Sequence, residues 1–254
     1  LKIMNYLDIK KHFFQNGWAK LPAFLKEDEI KKIKQEINLV IKKESKKIKK
    51  GDIHFTKKKV NTIHTLDTIS KFFFNLKNKN KFNKLANKIL NEKVQPQWVQ
   101  LFAKPAKIGL PAPPHQDNYY WNIKDCKTVT MWIALDKVNK KNGALYYYAK
   151  SHLKGRLEHE PSFAKGTSQT IKKNLLNKLS KKDKFIIDAS PGDMFIHHGY
   201  TVHGSSKNTS NKSRKGISIW FKASNSKIDK KNLKKYNLSL KKQHQTFYKK
   251  FKEN

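Results

Sequence analysis

The residues with the plainest chemical potential are in Pro113-Pro114-His115-Gln116-Asp117, read together with the distant Val202-His203-Gly204-Ser205. His115 and Asp117 are two apart, so in an extended segment the imidazole and the carboxylate leave the same face of a strand. A second histidine brought in from elsewhere in the chain completes a set of two histidines and one carboxylate. Three such ligands on one face of an iron(II) ion leave the opposite face open for oxygen and a co-substrate.

Strands must carry these ligands, and the hydrophobic period supplies them. From Val94 onward it changes from helical to alternating. Trp98, Gln100, Phe102 and Lys104 share one face, and Val99, Leu101 and Ala103 the other. A Gly- and Pro-rich loop over 105–114 leads into His115. Short strands are predicted at 128–135, 144–149, 184–188, 194–197 and 216–222, with Pro191-Gly192-Asp193 as a turn.

Upstream, helices are predicted at 6–16 (stopped by Gly17), 27–45, 68–77 and 81–90. A short strand is expected at 18–22, a loose strand pair at 52–65 and a charged turn at 42–51. The helix from 27 carries a stripe of Ile30, Ile33, Ile37, Val40 and Ile41. The tail over 226–254 has helical spacing in Leu233, Tyr236, Leu240, Phe247 and Phe251, a face that packs on the barrel or on another subunit of a homo-oligomer.

With no internal repeat and no dividing linker, the expectation is one domain over 1–254. Its helical N-terminal part covers about 1–93, its β core about 94–223 and its helical tail 224–254. The fold class is mainly β with flanking helices, a sandwich or barrel with helices packed outside.

Composition narrows the setting. The net charge of +37 is almost all lysine, since Arg156 and Arg214 are the only arginines. Proteins that read nucleic-acid sequence lean on arginine for bidentate contacts. The lysines are spread from end to end among asparagines and isoleucines, the residues of A+T-rich codons. Genome bias therefore explains them, and no specific nucleic-acid partner is expected, although the charge attracts small anions. Cys126 is the only cysteine, which excludes an internal disulfide and fits a cytoplasmic location. The first ten residues hold no apolar signal region, and nowhere do some 18 apolar residues run together, so no membrane association is expected.

The motif order identifies a relative. His115-Gln116-Asp117, Trp132-Ile133-Ala134-Leu135-Asp136, Asn142-Gly143-Ala144-Leu145 and Ser151-His152 with Gly155 are followed by Pro191-Gly192-Asp193, His203-Gly204-Ser205 and Arg214. In this order and spacing the stretch 94–223 resembles the phytanoyl-CoA dioxygenase family of Fe(II)/2-oxoglutarate oxygenases.

The resemblance implies a double-stranded β-helix, the cupin-like jelly roll, with iron held by His115, Asp117 and His203. It implies O2 and 2-oxoglutarate as co-substrates, the latter chelating the metal through its 2-oxo acid end and pairing its far carboxylate with Arg214. A planar guanidinium matches a carboxylate with two parallel charge-assisted hydrogen bonds that lysine cannot reproduce. An arginine here is informative in a chain that uses lysine almost everywhere else. Trp132, Gln116, Gln100 and Lys59 fall on further co-substrate contact positions; a plain core aromatic is the alternative for Trp132.

The other histidines sort by context. His197 and His198 are near the motif, but the spacing to Arg214 and the following Gly-Ser favour His203 as the ligand, leaving them as neighbours of the ligands or strand residues. His152 is read as structural, and His12, His54, His64, His159 and His244 take the same plain reading, with no role in the chemistry.

A carboxylate at Asp117 further implies hydroxylation or another oxidation, because related halogenases replace it with a small residue. The implied reaction yields succinate, CO2 and a hydroxylated small polar or anionic metabolite. Tyr119, Tyr120 and Trp121 are placed at the mouth, and Arg156 and a loop over 158–170 that includes Gln169 are candidate specificity elements. The family name does not make phytanoyl-CoA the substrate. Two alternatives stand beside this reading: a nucleic-acid-directed oxygenase of the same metal type, and a non-enzymatic cupin-like metal-binding protein.

Overall fold

The computed structural model describes residues 5–49, 51–164 and 166–252, and the side chains of all of these except 163 and 244–252. The apolar tail positions Phe247 and Phe251, His244 and the first four residues of the chain therefore fall outside the described side chains.

The chain opens with α1 (Tyr6–Asn16), whose N-cap Asn5 accepts from the Asp8 N–H and whose end is set by Gly17 at φ 82°. β1 (Trp18–Leu21) follows, then α2 (Glu27–Leu39) with Glu27, Asp28 and Glu29 at its positive end and Ile30, Ile33 and Ile37 buried. The helical path continues beyond Leu39, widening over Val40–Glu44 and tightening over Ser45–Lys47, so the expected charged turn begins later than 42.

Next come β2 (Ile53–Thr56), β3 (Lys59–Ile63), α3 (Leu66–Ile69), α4 (Lys71–Lys77) and α5 (Asn80–Leu90). Ser70 divides the helix expected over 68–77, leaving the α-region and capping Phe72 N–H with its hydroxyl. Then follow β4 (Val94–Lys104), β5 (Ala112–His115), α6 (Asn118–Trp121), β6 (Thr128–Ala134) and β7 (Leu145–Tyr148). The remainder is β8 (His159–Ala164), β9 (Thr167–Ile171), α7 (Lys173–Leu176), β10 (Lys184–Ile186), β11 (Met194–His198), β12 (His203–Ser205), β13 (Arg214–Ala223) and α8 (Lys230–Lys252).

A seven-stranded sheet in the order β1-β11-β6-β13-β4-β3-β2 faces a four-stranded sheet in the order β10-β7-β12-β5, and all their pairings are antiparallel. This is the expected mainly β, jelly-roll architecture with flanking helices.

Alternation assigns the two faces of the large sheet. Val99, Leu101, Met131, Ile133, Ile196, Ile217, Ile219 and Phe221 join one core with Ile33, Ile37, Phe73, Phe82 and Ile89 from the helices. Each such side chain contributes about 1.5–3 kcal/mol by burial, which fixes the helices to that face. The opposite face looks into the barrel, where Trp18, Trp132, Tyr147 and Phe195 form a second core.

Two departures bear on the site. The N-terminal part is not merely a helical cover: β1, β2 and β3 complete the large sheet at both edges. The Pro191-Gly192-Asp193 turn is locked to this part, because Asp193 accepts from Ala23 N–H and Lys20 while Gly192 accepts from Leu25 N–H. A Cβ on Gly192 would come within 2.4 Å of the Leu25 carbonyl oxygen, so this contact requires glycine. In addition, the expected loop over 158–170 is the β8–β9 hairpin. Among the described residues, no helix is long and apolar enough to cross a membrane.

Candidate metal centre

Register brings the two halves of the motif together. His203 on β12 is directly opposite His115 on β5, and Asp117 follows at the entry to α6. The ligand atoms of His115, Asp117 and His203 all lie within 4.8 Å of one another. Asp117 Oδ1 is 3.7 Å from His115 Nε2 and 3.6 Å from His203 Nε2.

Both imidazoles are prepared as ligands by their own backbone. His115 Nδ1 is 2.8 Å from the Pro113 carbonyl and His203 Nδ1 is 3.0 Å from the Thr201 carbonyl. A carbonyl only accepts, so each Nδ1 carries the proton and each Nε2 keeps its lone pair for the centre.

The electrostatics agree. Burial pushes both imidazoles down to about 4, so they are neutral at neutral pH, the form that binds a metal. For Asp117 burial acts upward, but His203, the hydrogen bond from His197 and His115 outweigh it and hold the carboxyl well below the usual range. One carboxylate and two neutral imidazoles form a donor set that fits an iron(II) ion.

Arg214 and Trp132 lie on the inner face of the large sheet, the face from which Thr130 and His197 reach Asp117. Cross-strand partners share a face, which puts Lys104 and Arg214 in one row, Phe102, Gly216 and Ala134 in the next, and Gln100, Ser218, Trp132 and Phe195 in the third. Arg214 is 1% exposed and donates to the carbonyls of Phe102 and Gly143, while its Nε–H has no partner. Burial lowers its pKa to about 9, with Asp136 acting in the opposite direction.

Trp132 has a buried, unpartnered Nε1–H beside the guanidinium. Buried donors left open on neighbouring side chains mark a place for a polar, anionic guest. The 2-oxoglutarate end carboxylate has that chemistry. Gln100 lines the same face, its amide joined to His64 at 2.9 Å and to the Ser218 hydroxyl at 3.3 Å.

Two sequence-level co-substrate contacts are corrected. The Gln116 amide spends both N–H groups on the Gly155 and Tyr200 carbonyls and its oxygen on Leu157 N–H, because alternation turns it away from its ligand neighbours. It staples loops rather than meeting the co-substrate. Lys59 is exposed at the end of β3 opposite Thr56, at the tip of a hairpin rather than among the buried side chains of the sheet.

The mouth residues separate. Tyr120 packs edge-on to His115, with ring centroids 5.7 Å apart, and shares hydrogen bonds with the Gln169 backbone. Trp121 stacks flat on Trp220 at 3.8 Å, one strand across from Thr130. Tyr119 instead stacks on His159 at 3.8 Å and lies under Arg156 at 4.3 Å. These three, with Lys172, Asn232 and Lys235 among others, line a cleft of about 300 Å³ that contains none of the three ligands. Gln169 is corrected as a substrate contact: its buried side chain bonds Gln243 and Ser239 of α8.

Sequence reasoning missed Thr130, Tyr147 and the particular role of His197. Thr130 Oγ1 and His197 Nε2 both reach Asp117 Oδ2, at 2.7 and 2.9 Å. The available signal was alternation along 128–135 and 194–197, which aims both residues into the barrel.

The family model of phytanoyl-CoA dioxygenases matches residues 13–216. A phytanoyl-CoA dioxygenase of Arabidopsis thaliana is 29% identical over 158 residues, covering 62% of this chain and 53% of that protein. The chain thus spans about half the length of this and similar curated relatives. A probable alpha-ketoglutarate-dependent hypophosphite dioxygenase of Stutzerimonas stutzeri is 23% identical, over 86% of this chain and 79% of that protein. Among solved structures, EctD from S. alaskensis with 2-oxoglutarate and 5-hydroxyectoine superposes with a TM-score of 0.72 at 17% identity, over 87% of this chain and 77% of its own. The alpha ketoglutarate dependent carbocyclase SnoK from nogalamycin biosynthesis gives 0.71 at 20% identity, over 87% and 85%. At such identities the likeness establishes the fold.

Proposed function

Since this chain belongs to the phytanoyl-CoA dioxygenase family, we propose that it is an Fe(II)- and 2-oxoglutarate-dependent oxygenase that hydroxylates a small polar or anionic metabolite. The observation that carries this reading is the convergence of His115, Asp117 and His203 in a barrel whose inner sheet face also holds a buried Arg214 with an open donor. A scaffold that only stored a metal would have no use for that arginine. When bound, iron and 2-oxoglutarate use O2 to convert a substrate C–H bond to C–OH, the second oxygen atom leaving in succinate as CO2 is lost.

The protein's own residues supply hold, aim and exclusion. His115, Asp117 and His203 hold the metal from one side and leave the other open. Arg214, with Trp132 beside it, takes the far carboxylate of the co-substrate and so sets the direction in which its 2-oxo acid end points. Tyr120 against His115, and the Trp121–Trp220 stack beyond Asp117, wall the approach and keep water from it.

For the substrate class, the hypophosphite named for the Stutzerimonas stutzeri relative is a small anion, and the 5-hydroxyectoine held by EctD is small and polar. The charge of +37 favours anions of that kind. The test is an anaerobic titration with Fe(II) and 2-oxoglutarate. One equivalent of each should produce the visible charge-transfer absorption of the chelate; absence of both metal uptake and absorption would refute the reading.

A further inference from the structure

The outer oxygen of Asp117 is engaged twice. Thr130 Oγ1 donates to Oδ2 at 2.7 Å, and His197 Nε2 stands 2.9 Å from the same atom. His197 on β11 is opposite Thr130 on β6, so one sheet register delivers both side chains to one oxygen. The other oxygen, Oδ1, is the one nearest the Nε2 atoms of His115 and His203. An unanchored carboxylate turns about its Cβ–Cγ bond and presents either oxygen, or both. Two donors on Oδ2 stop that rotation and leave Oδ1 facing the centre.

A further residue stands behind His197. An ionised carboxylate only accepts, so His197 Nε2 carries the proton and Nδ1 is left as an acceptor. The Tyr147 hydroxyl is 3.3 Å from Nδ1 and donates to it. Tyr147 is fully buried on β7, opposite His203, and is thus fixed by the same pairing that places a ligand. The donor nitrogen of His197 is spent on Asp117, and His197 is not a member of the three-residue cluster whose ligand atoms converge.

We propose that His197 is a positioning residue for the metal centre: held in one tautomer by Tyr147, it fixes Asp117 as a single-oxygen ligand and so preserves the open positions that co-substrate and O2 need. The proposal rests on the metal-centre reading above.

The test compares His197→Gln with His197→Met, side chains of nearly equal shape of which only glutamine can donate to Asp117. Anaerobic Co(II) binding is measured by calorimetry and by the visible d–d spectrum, with circular dichroism as the check on folding. Relative to the wild-type protein, the Met variant should lose 10- to 100-fold in affinity and change its Co(II) spectrum, whereas the Gln variant should recover most of both. Tyr147→Phe should fold normally and weaken Co(II) less than the Met variant does. A folded Met variant with wild-type affinity and spectrum would overturn the proposal, and so would equal losses in Met and Gln. Should the Met variant not fold, Tyr147→Phe decides, and wild-type affinity and spectrum there would overturn the relay. Failure of the wild-type protein itself to take up Co(II) or Fe(II) would instead overturn the metal-centre reading.

Discussion

The Arg214 guanidinium is 5.5 Å from the centroid of the Trp132 ring, and both side chains are buried on the inner face of the seven-stranded sheet. Neither Arg214 Nε nor Trp132 Nε1 has a hydrogen-bond partner among the described residues. A cation whose surroundings already lower its pKa to about 9 by burial gains from an incoming carboxylate.

Arg214→Lys should therefore keep the fold and the metal but raise the 2-oxoglutarate requirement. Losing a hydrogen bond to a charged group costs about 1.5–3 kcal/mol, roughly 10- to 150-fold in affinity. Succinate formation against 2-oxoglutarate concentration measures it, and an unchanged dependence would count against the role.

Gly216 tests the same pair of side chains. A Cβ there would come within 2.3 Å of Trp132 Cζ2, so the indole lies where any side chain at 216 would be. Gly216→Ala should displace Trp132 and destabilise by about 1–3 kcal/mol, the cost of overpacking a filled interior. The 2-oxoglutarate requirement should rise while Fe(II) affinity stays the same. Urea unfolding and metal titration read the two effects separately.

Much of this was legible in the sequence. The alternation from Val94 put Trp98, Gln100, Phe102 and Lys104 on one face and Val99, Leu101 and Ala103 on the other, and the motif order marked His115, Asp117, His203 and Arg214. What was not legible depends on long-range register. The carboxylate partners of Asp117 come from β6 and β11, and no spacing rule links Thr130 to His197; only their pairing does. Gln116 misled because identity at a motif position says nothing of orientation, and alternation turns it outward. Lys59 misled because a strand's position in sequence does not reveal which end of it is a solvent-exposed hairpin tip. The β8–β9 hairpin was hidden because Pro161 within β8 breaks the strand signal.

The ligand assignment makes its own prediction. Alanine at His115, Asp117 or His203 should abolish turnover and weaken Fe(II) binding strongly, since each removes one of three protein ligands. Inductively coupled plasma metal analysis after anaerobic loading, paired with succinate assays, checks it. Full activity in His203→Ala, with loss in His198→Ala, would point to a different ligand set.

Acid should undo the metal-free protein early. Burial lowers His64, His115, His198 and His203 to about 4 and His159 to about 3, from an ordinary value of 6.5. A group depressed in the folded state binds its proton first in the unfolded chain. The stability it contributes is therefore present above pH 6.5 and is lost as pH falls toward 4. Asp117, also depressed, adds its loss only below the ordinary carboxylate value of 3.8. Each extra proton taken up on unfolding tilts stability by about 1.4 kcal/mol per pH unit. Urea unfolding at pH 7, 6 and 5 should show a slope of more than one proton, and a flat profile would contradict the buried neutral imidazoles.

The charge of the chain sets the last prediction, which concerns what the proposed oxygenase acts on. A net +37 guarantees some affinity for nucleic acid, but affinity from charge alone falls steeply with salt because it arises from counterion release. A strand-tracking enzyme needs a stripe of cations interleaved with aromatics on which successive bases stack. The aromatics beyond Asp117 are instead closed on one another: Trp121 stacks on Trp220 at 3.8 Å, and Trp98 meets Trp220 edge-on at 4.9 Å. Faces already stacked are not free to receive bases, whereas a compact guest can sit against them. Succinate release should accordingly respond to small polar or anionic metabolites, and not to single- or double-stranded oligonucleotides at physiological salt. Oligonucleotide-dependent turnover that leaves an oxidised base, with no response across the metabolite panel, would reverse the assignment of substrate class while leaving the metal centre as described.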